Sequence, residues 1–468
     1  MNTVLLILLI MTEAAFCFVT VSRGSDKGEY KLGRLIANVG ELVLFLLTVL
    51  LPGIDLSFRF TMLITLLVIR AAAAGIMLLF RKKDRDEKKA FSKIMSAAGS
   101  AVMFAAALIP SYLFSDYNGL PVSGKYTVAQ TKAIVIDENR TEEYKNDGSK
   151  REVPLYFYYP QDAAAGESFP VVFFSHGAFG YYQSNSSTYM ELASNGYIVI
   201  SMEHPYHSIF THDHNGDLIL ADRSFMQDIG ELYSDDTTIE RADEIQNKMI
   251  SLRLADANTA VDAIKDPSSA VWVYDNNEDT IASVLSMADT GRMGFMGHSL
   301  GGAAAVSIGR QRDDIDAVID IDGTMLGETS GNEYFTVDGG RYMIAVNEKP
   351  EKYTLPLLSF SNQQSHDDDM YCRENNIPYV NNTVIDNAEQ AYETYIAGTG
   401  HMNYTDLPLF SPFLANYIGQ VTVSDDTAGT GTVDAEGCIV KMNEIILDFF
   451  NAYLKGDGEF RVEEGYIV

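Results

Sequence analysis

The apolar residues of this 468-residue chain fall into two regimes. In the first quarter they form four long blocks, about Val4–Val21, Leu35–Leu51, Phe60–Phe80 and Ile94–Phe114, with no polar stripe at helical spacing. Each approaches the roughly 20 residues an α-helix needs to cross a bilayer core. The pattern therefore predicts four membrane-spanning helices within residues 1–115. A cleaved leader is the competing reading of the first block, but its start, Met-Asn-Thr-Val, has no basic residue and no clear small-residue cleavage site follows. Residues 116–127 read as a short polar linker, with Asn118-Gly119 and Pro121.

From residue 128 the blocks shorten and change period. Strand-like runs occur at Val128–Ile136, Val153–Tyr159, Pro170–Ser175, Tyr197–Met202, Arg292–Met296, Ala317–Ile321, Leu355–Ser361 and Ala391–Ala397. Helix-like runs occur at Ser187–Asn195, Asp243–Ile264, Gly301–Arg310 and Val440–Leu454. Continuous apolar strands such as Val-Val-Phe-Phe suit a parallel sheet covered on both faces. Alternating strands and helices predict one α/β domain over residues 128–468. Its first two strands, with no helix between them, are expected to form an antiparallel hairpin at the sheet edge. Two polar, aromatic-rich insertions, near 205–240 and 325–354, read as lid material over the carboxyl ends of the strands.

Charge separates the two regimes further. Residues 1–115 carry 13 Lys and Arg against 8 Asp and Glu; the remainder carries 21 against 56. So acidic a domain does not hold nucleic acid through its field, and it suits neutral or cationic partners. Basic residues cluster between the first and second apolar blocks (Arg23, Lys27, Lys31, Arg34) and between the third and fourth (Arg81, Lys82, Lys83, Arg85, Lys88, Lys89, Lys93). Only Arg59 lies between the second and third. The positive-inside rule then predicts an integral protein, in the cell membrane, with its acidic domain on the extracytoplasmic side. Glu13 and Arg70 fall at similar depth inside their blocks, so an ion pair between them is expected, with Glu41 as a competing partner. Cys372 and Cys438 are either a disulfide or two free thiols. The chain carries no indication of oligomeric state.

The candidate chemistry centres on Gly297-His298-Ser299-Leu300-Gly301, a G-x-S-x-G between an apolar strand and a small-residue helix. In a nucleophile elbow the serine tops a strained strand-to-helix turn, and glycines on both sides avoid collision. A serine hydroxyl needs a base. His401, in Gly398-Thr399-Gly400-His401 after the last apolar run, fits the order serine, acid, histidine better than His366. For the acid, Asp320, Asp322 and the Asp367–Asp369 group all follow strand ends, and residue logic leaves them open. Two backbone N–H groups are needed to hold an oxyanion: that of Leu300, after the serine, and that of Ala178, in the loop Ser175-His176-Gly177-Ala178 after the third strand. His212-x-His214 and Asp367–Asp369 are spacings a metal could use, but solvated loops are the favoured reading. Phe179, Tyr181 and Tyr182 are candidates for an acyl pocket, no less than for plain packing. Neither G-x-G-x-x-G nor a Walker-type loop occurs.

Phe-Ser-His-Gly, Glu203-His204, Gly-His-Ser-Leu-Gly-Gly-Ala, Ile321-Asp322-Gly323 and Gly-Thr-Gly-His-Met-Asn-Tyr together resemble the platelet-activating-factor acetylhydrolase family of α/β-hydrolases over about residues 128–455. That family carries its acid after the sixth strand in a Leu-Asp-Ala-like turn, which maps onto Asp322. The resemblance implies an α/β-hydrolase fold and a carboxylic ester hydrolase with the triad Ser299, Asp322 and His401. It also implies no metal or cofactor, and lipid-like or short-acyl ester substrates. The long insertion after Glu203 and the four apolar blocks depart from the family's pattern. Alternatives on the same fold are a peptidase, an acyltransferase or a non-catalytic binding module.

Overall fold

The computed structural model describes residues 2–50, 57–79, 88–232, 234, 236–328, 332–337, 340–345, 351–423 and 429–468. Two compact units emerge, one of residues 1–116 with 410–413 and one of residues 117–409 with 414–468.

The first unit holds helices α1 (Asn2–Ser22), α2 (Lys27–Val49), α3 (Thr61–Leu79) and α4 (Ala90–Ala107). With one short turn added before α3, all four are long and apolar enough to cross a bilayer. Apolar faces meet at Leu5, Leu9, Phe45, Leu63, Leu67 and Phe104, while other apolar side chains, such as Phe18 and Leu79, face outward. Outward apolar side chains are the expected dress of helices whose solvent is lipid.

Inside the bundle Arg70 contacts Glu13 and lies 3.2 Å from Glu41, so both expected partners are used. Glu13 also accepts two hydrogen bonds from Arg34, at 2.5 and 2.7 Å. Arg34 is therefore no loop charge: it lies within α2 and is buried, as Lys93 is within α4. A carboxylate buried among apolar helices is costly unless paired, and Glu13 has two guanidinium partners. Arg81, Lys82, Lys83 and Arg85 lie outside the described residues.

The second unit is built on one sheet. Its elements are β1 (Val128–Thr141), β2 (Lys150–Pro160), β3 (Phe169–Ser175), α5 (Ser186–Ser194), β4 (Ile198–Met202), α6 (Ile239–Lys265), β5 (Val271–Tyr274), β6 (Ala288–His298), α7 (Leu300–Gln311), β7 (Ala317–Ile321), β8 (Leu357–Ser361), α8 (Gln363–Glu374), β9 (Ala391–Ile396), α9 (Ala435–Phe450) and β10 (Gly465–Tyr466). The strand order is β10-β9-β8-β7-β6-β3-β4-β2-β1-β5. From β4 to β10 all neighbours pair in parallel; β2 pairs antiparallel with both β4 and β1. The mostly parallel sheet with helices on both faces is the expected α/β-hydrolase fold. One detail differs: the β1–β2 hairpin is not the edge, because β5 pairs antiparallel with β1 beyond it. β5 is only four residues long, Val-Trp-Val-Tyr, too short to show a period.

Both faces of β3 are buried, which is why its pattern is continuous. Val171 and Phe173 point into a core with Ala257, Val261 and Ile264 of α6 and Val306 of α7. Val172 and Phe174 point the other way, toward Tyr189 of α5 and Ile446 and Phe449 of α9. Such side chains contribute about 1.5–3 kcal/mol each when fully buried.

Within the insertion near 205–240 lie a small hairpin, Phe210–His212 with Leu218–Leu220, and a helix, Arg223–Leu232. α6 begins at Ile239, earlier than its apolar run suggests, with Thr238 as its cap. The insertion near 325–354 includes a hairpin backbone, Asn332–Val337 with Gly340–Ala345; residues 329–331, 338–339 and 346–350 lie outside the described residues. All three cysteines are free. Burial pushes the Cys372 thiol up to about 11 and the Cys438 thiol up to about 12.

Candidate active site

The order in which strands are added reverses between β3 and β6: β4 lies to one side of β3, and β6, β7, β8 and β9 follow in order on the other. In open α/β sheets the crevice outside the carboxyl ends at such a switch point is where ligands bind. Here the register aligns those ends. Ser175 of β3 pairs with Gly297 of β6, His298 of β6 with Ile321 of β7, and Ile321 with Phe360 of β8. Each strand therefore releases its loop at one level. The loops carry, in spatial order, Gly177-Ala178, Ser299, Asp322, Asn362 and His401.

Ser299 sits between β6 and α7 with φ 56° and ψ −124°. A non-glycine residue held there is strained, and such strain is retained mainly at functional sites. Two glycines allow the turn: a Cβ on Gly297 would lie 2.2 Å from the Gly301 carbonyl oxygen, and one on Gly301 would lie 1.9 Å from that of Ser175. The Ser299 N–H donates to the Ile321 carbonyl at 2.9 Å, which fixes the elbow against the strand that delivers Asp322. Leu300 opens α7, so its N–H has no intrahelical acceptor and points out of the positive end of the helix.

Asp322 likewise has a positive φ, 54°. Its Oδ2 accepts from His401 Nδ1 at 2.5 Å. Asn362 secures the carboxylate: its N–H donates to Oδ1 at 2.8 Å, and its Nδ2 donates to Oδ1 at 3.1 Å and to Oδ2 at 2.9 Å. Burial raises the Asp322 pKa, but His401 and Asn362 outweigh it and hold the carboxyl below its usual range. The carboxylate is 2% exposed and the imidazole 20%. Among the described contacts, Ser299 Oγ makes none with His401 Nε2; catalytic hydrogen bonds are often long before substrate binds.

The His401 turn is set from within. Gly398 has φ 77°, and buried Asn403 accepts from the N–H groups of Gly400 and Gly431 at 2.8 and 2.7 Å. His298, the variable residue of the elbow motif, donates from Nε2 to the His401 carbonyl at 3.2 Å, with ring centroids 4.5 Å apart. Burial and the neighbouring His401 push the His298 pKa down to about 3. Unfolded chain takes up a proton there near pH 6.5 and folded chain does not, so His298 lowers stability as pH falls. The stability gap between wild type and His298→Asn, read by chemical denaturation in detergent, is expected to shift in the variant's favour by up to about 1.4 kcal/mol per unit below pH 6.5. A gap that does not change with pH would contradict a buried, neutral His298.

The other candidates stand apart from His401. Asp320 is wholly buried, accepts from the Gly323 N–H at 3.1 Å, and burial pushes its carboxyl well above its usual range. Asp367 and Asp368 accept amide hydrogen bonds from Gln363 and Gln364 along α8. Burial likewise raises Asp369 on that helix. His366, also on α8, stacks on Tyr395 with centroids 3.9 Å apart. His212 is on the small hairpin and His214 pairs with Glu152, whereas His204 and His207 are buried against the loop that follows β3. Phe179 packs on Phe225 and Tyr182 stacks on Tyr156.

Asn362 was within reach of sequence reasoning: an Asn directly after an apolar strand and before a helix is a cap signature, and its side chain does cap α8. Its second task, holding Asp322, has no sequence signal.

Among solved structures the chain is similar to the ferulic acid esterase from Streptomyces cinnamoneus, with a TM-score of 0.51 at 17% identity over 72% of this chain and 93% of that one. At that identity the likeness is one of fold. Residues 151–466 match the model of the platelet-activating factor acetylhydrolase, isoform II, family, and with more than half of the chain inside that match the protein belongs to this family of α/β-hydrolases and is a carboxylic ester hydrolase.

Proposed function

We propose that this is a membrane-anchored serine hydrolase that cleaves lipid-like or short-acyl carboxylic esters through Ser299, His401 and Asp322. The observation that carries the reading is the 2.5 Å contact between His401 Nδ1 and Asp322 Oδ2 beside a serine in a strained elbow. Asp322 accepts the hydrogen bond from Nδ1–H, which holds that tautomer and leaves Nε2 as the base. Ser299 Oγ attacks the ester carbonyl as its proton passes to Nε2. The N–H groups of Ala178 and Leu300 receive the negative charge that develops on the carbonyl oxygen. Collapse expels the alcohol, which takes the proton from His401, and leaves an acyl group on Ser299. Water, deprotonated by the same imidazole, attacks the acyl-enzyme; the carboxylic acid departs and Ser299 regains its proton.

The four apolar helices support an anchor, and the basic residues Arg23, Lys27, Lys31, Lys88 and Lys89 support an extracytoplasmic catalytic domain. A domain joined to the apolar helices by so short a linker, and this acidic, is suited to uncharged or zwitterionic esters. Full-length protein in detergent, given nitrophenyl esters of graded acyl length and a set of peptides, is expected to turn over esters only; turnover confined to peptides would contradict the reading. On intact cells a membrane-impermeant fluorophosphonate is expected to label the protein. Labelling only after lysis would reverse the orientation.

A further inference from the structure

Beneath the oxyanion loop lies a buried charge cluster for which the triad has no use. Arg253 of α6 is fully buried. Its guanidinium donates to the His176 carbonyl at 2.5 Å and to the Gly177 carbonyl at 3.2 Å. The described ion pairs give Asp256, one turn further along α6, to Arg151, Arg140 and His204; Arg253 has the two carbonyls as its nearest acceptors, with His207 Nδ1 and Ser175 Oγ further off, each at 3.4 Å. His204 in turn reaches Ser175 Oγ at 2.9 Å, at the root of the same loop. A buried cation held chiefly by carbonyls is expensive for stability alone.

Its placement has a geometric consequence. The Gly177 carbonyl accepts from Arg253, from His176 Nδ1 at 2.7 Å and from the Gly180 N–H at 3.1 Å. Three donors fix the direction of that carbonyl. In a trans peptide the next N–H points the opposite way, so the Ala178 N–H faces away from Arg253. That N–H donates to no acceptor among the described contacts. The peptide lies against the nucleophile's elbow: a Cβ on Gly177 would lie 3.1 Å from Ser299 Cβ and 3.1 Å from His298 Nδ1.

We infer that Arg253 is the positioning residue of the oxyanion hole, turning the Gly177–Ala178 peptide so that its N–H meets the substrate oxyanion, and setting a positive charge behind it. The inference rests on the proposed role of Ser299. Arg253→Met is expected to lower kcat on a nitrophenyl ester by about 10²-fold, the loss typical of one oxyanion donor, with KM within about threefold of wild type.

A purely structural role would lower activity without selecting the transition state, so affinity for a trifluoromethyl ketone is the deciding readout. Its serine adduct carries an oxyanion, and its affinity is expected to fall in step with kcat/KM. Arg253→Lys, which keeps the charge and one donor, is expected to fall between the two; it carries the test if the methionine variant does not fold. Wild-type kcat in a folded Arg253→Met protein would overturn the inference, as would unchanged ketone affinity beside a lowered kcat in either variant. Turnover surviving in Ser299→Ala would instead remove the proposed nucleophile, whatever Arg253 does.

Discussion

Ser299→Ala lowers kcat for ester hydrolysis by on the order of 10⁶-fold, the loss seen when a triad serine is removed, and leaves the fold in place. The size follows from the elbow. Its strained backbone, the two glycines without room for a Cβ and the Ile321 hydrogen bond all hold one Oγ at the switch point of the sheet. Alanine adopts the same backbone and removes only the hydroxyl, so melting temperature is expected to stay near that of wild type. Turnover by initial rates and melting by differential scanning fluorimetry decide the matter together. Activity within tenfold of wild type in a folded variant would move the nucleophile elsewhere.

Asp322→Asn is expected to lower kcat by on the order of 10⁴-fold with KM little changed, by the logic of the triad template. The carboxylate accepts at both oxygens, one of them from His401 Nδ1. An amide in its place can turn an N–H toward the ring, which then presents the wrong tautomer to Ser299. The control is Asp369→Asn, on α8, whose carboxyl is already held toward the neutral form by burial; its kcat is expected to stay within about threefold of wild type. A reversal of these two losses would assign the acid to the α8 group.

Much of this architecture was legible because burial on both faces leaves unbroken apolar runs. β3, β4 and β7 are visible as such, and the small-residue helix after Ser299 follows from its close approach to β3 and β7. The order of the loops was legible because chain order and strand order coincide from β6 to β9. What stayed hidden has no period. β5 is four residues long, and α8 is so polar that Asp367–Asp369 reads as a solvated turn. Among the acidic candidates residue logic alone makes no choice and the family resemblance points to Asp322; the register sets Asp322, and not its neighbours, against His401. Arg34 reads as a loop charge, and no sequence signal singles out Arg253; only tertiary packing turns the first into a partner of Glu13 and the second toward backbone carbonyls.

The most direct test of the central claim is to treat the full-length protein with a fluorophosphonate and locate the adduct by peptide mass spectrometry. The account predicts one stoichiometric phosphonyl group on the peptide that contains Ser299, loss of ester hydrolysis in proportion to its formation, and no adduct in Ser299→Ala. An adduct on a different residue that abolishes activity, or full activity in protein already modified at Ser299, would contradict it.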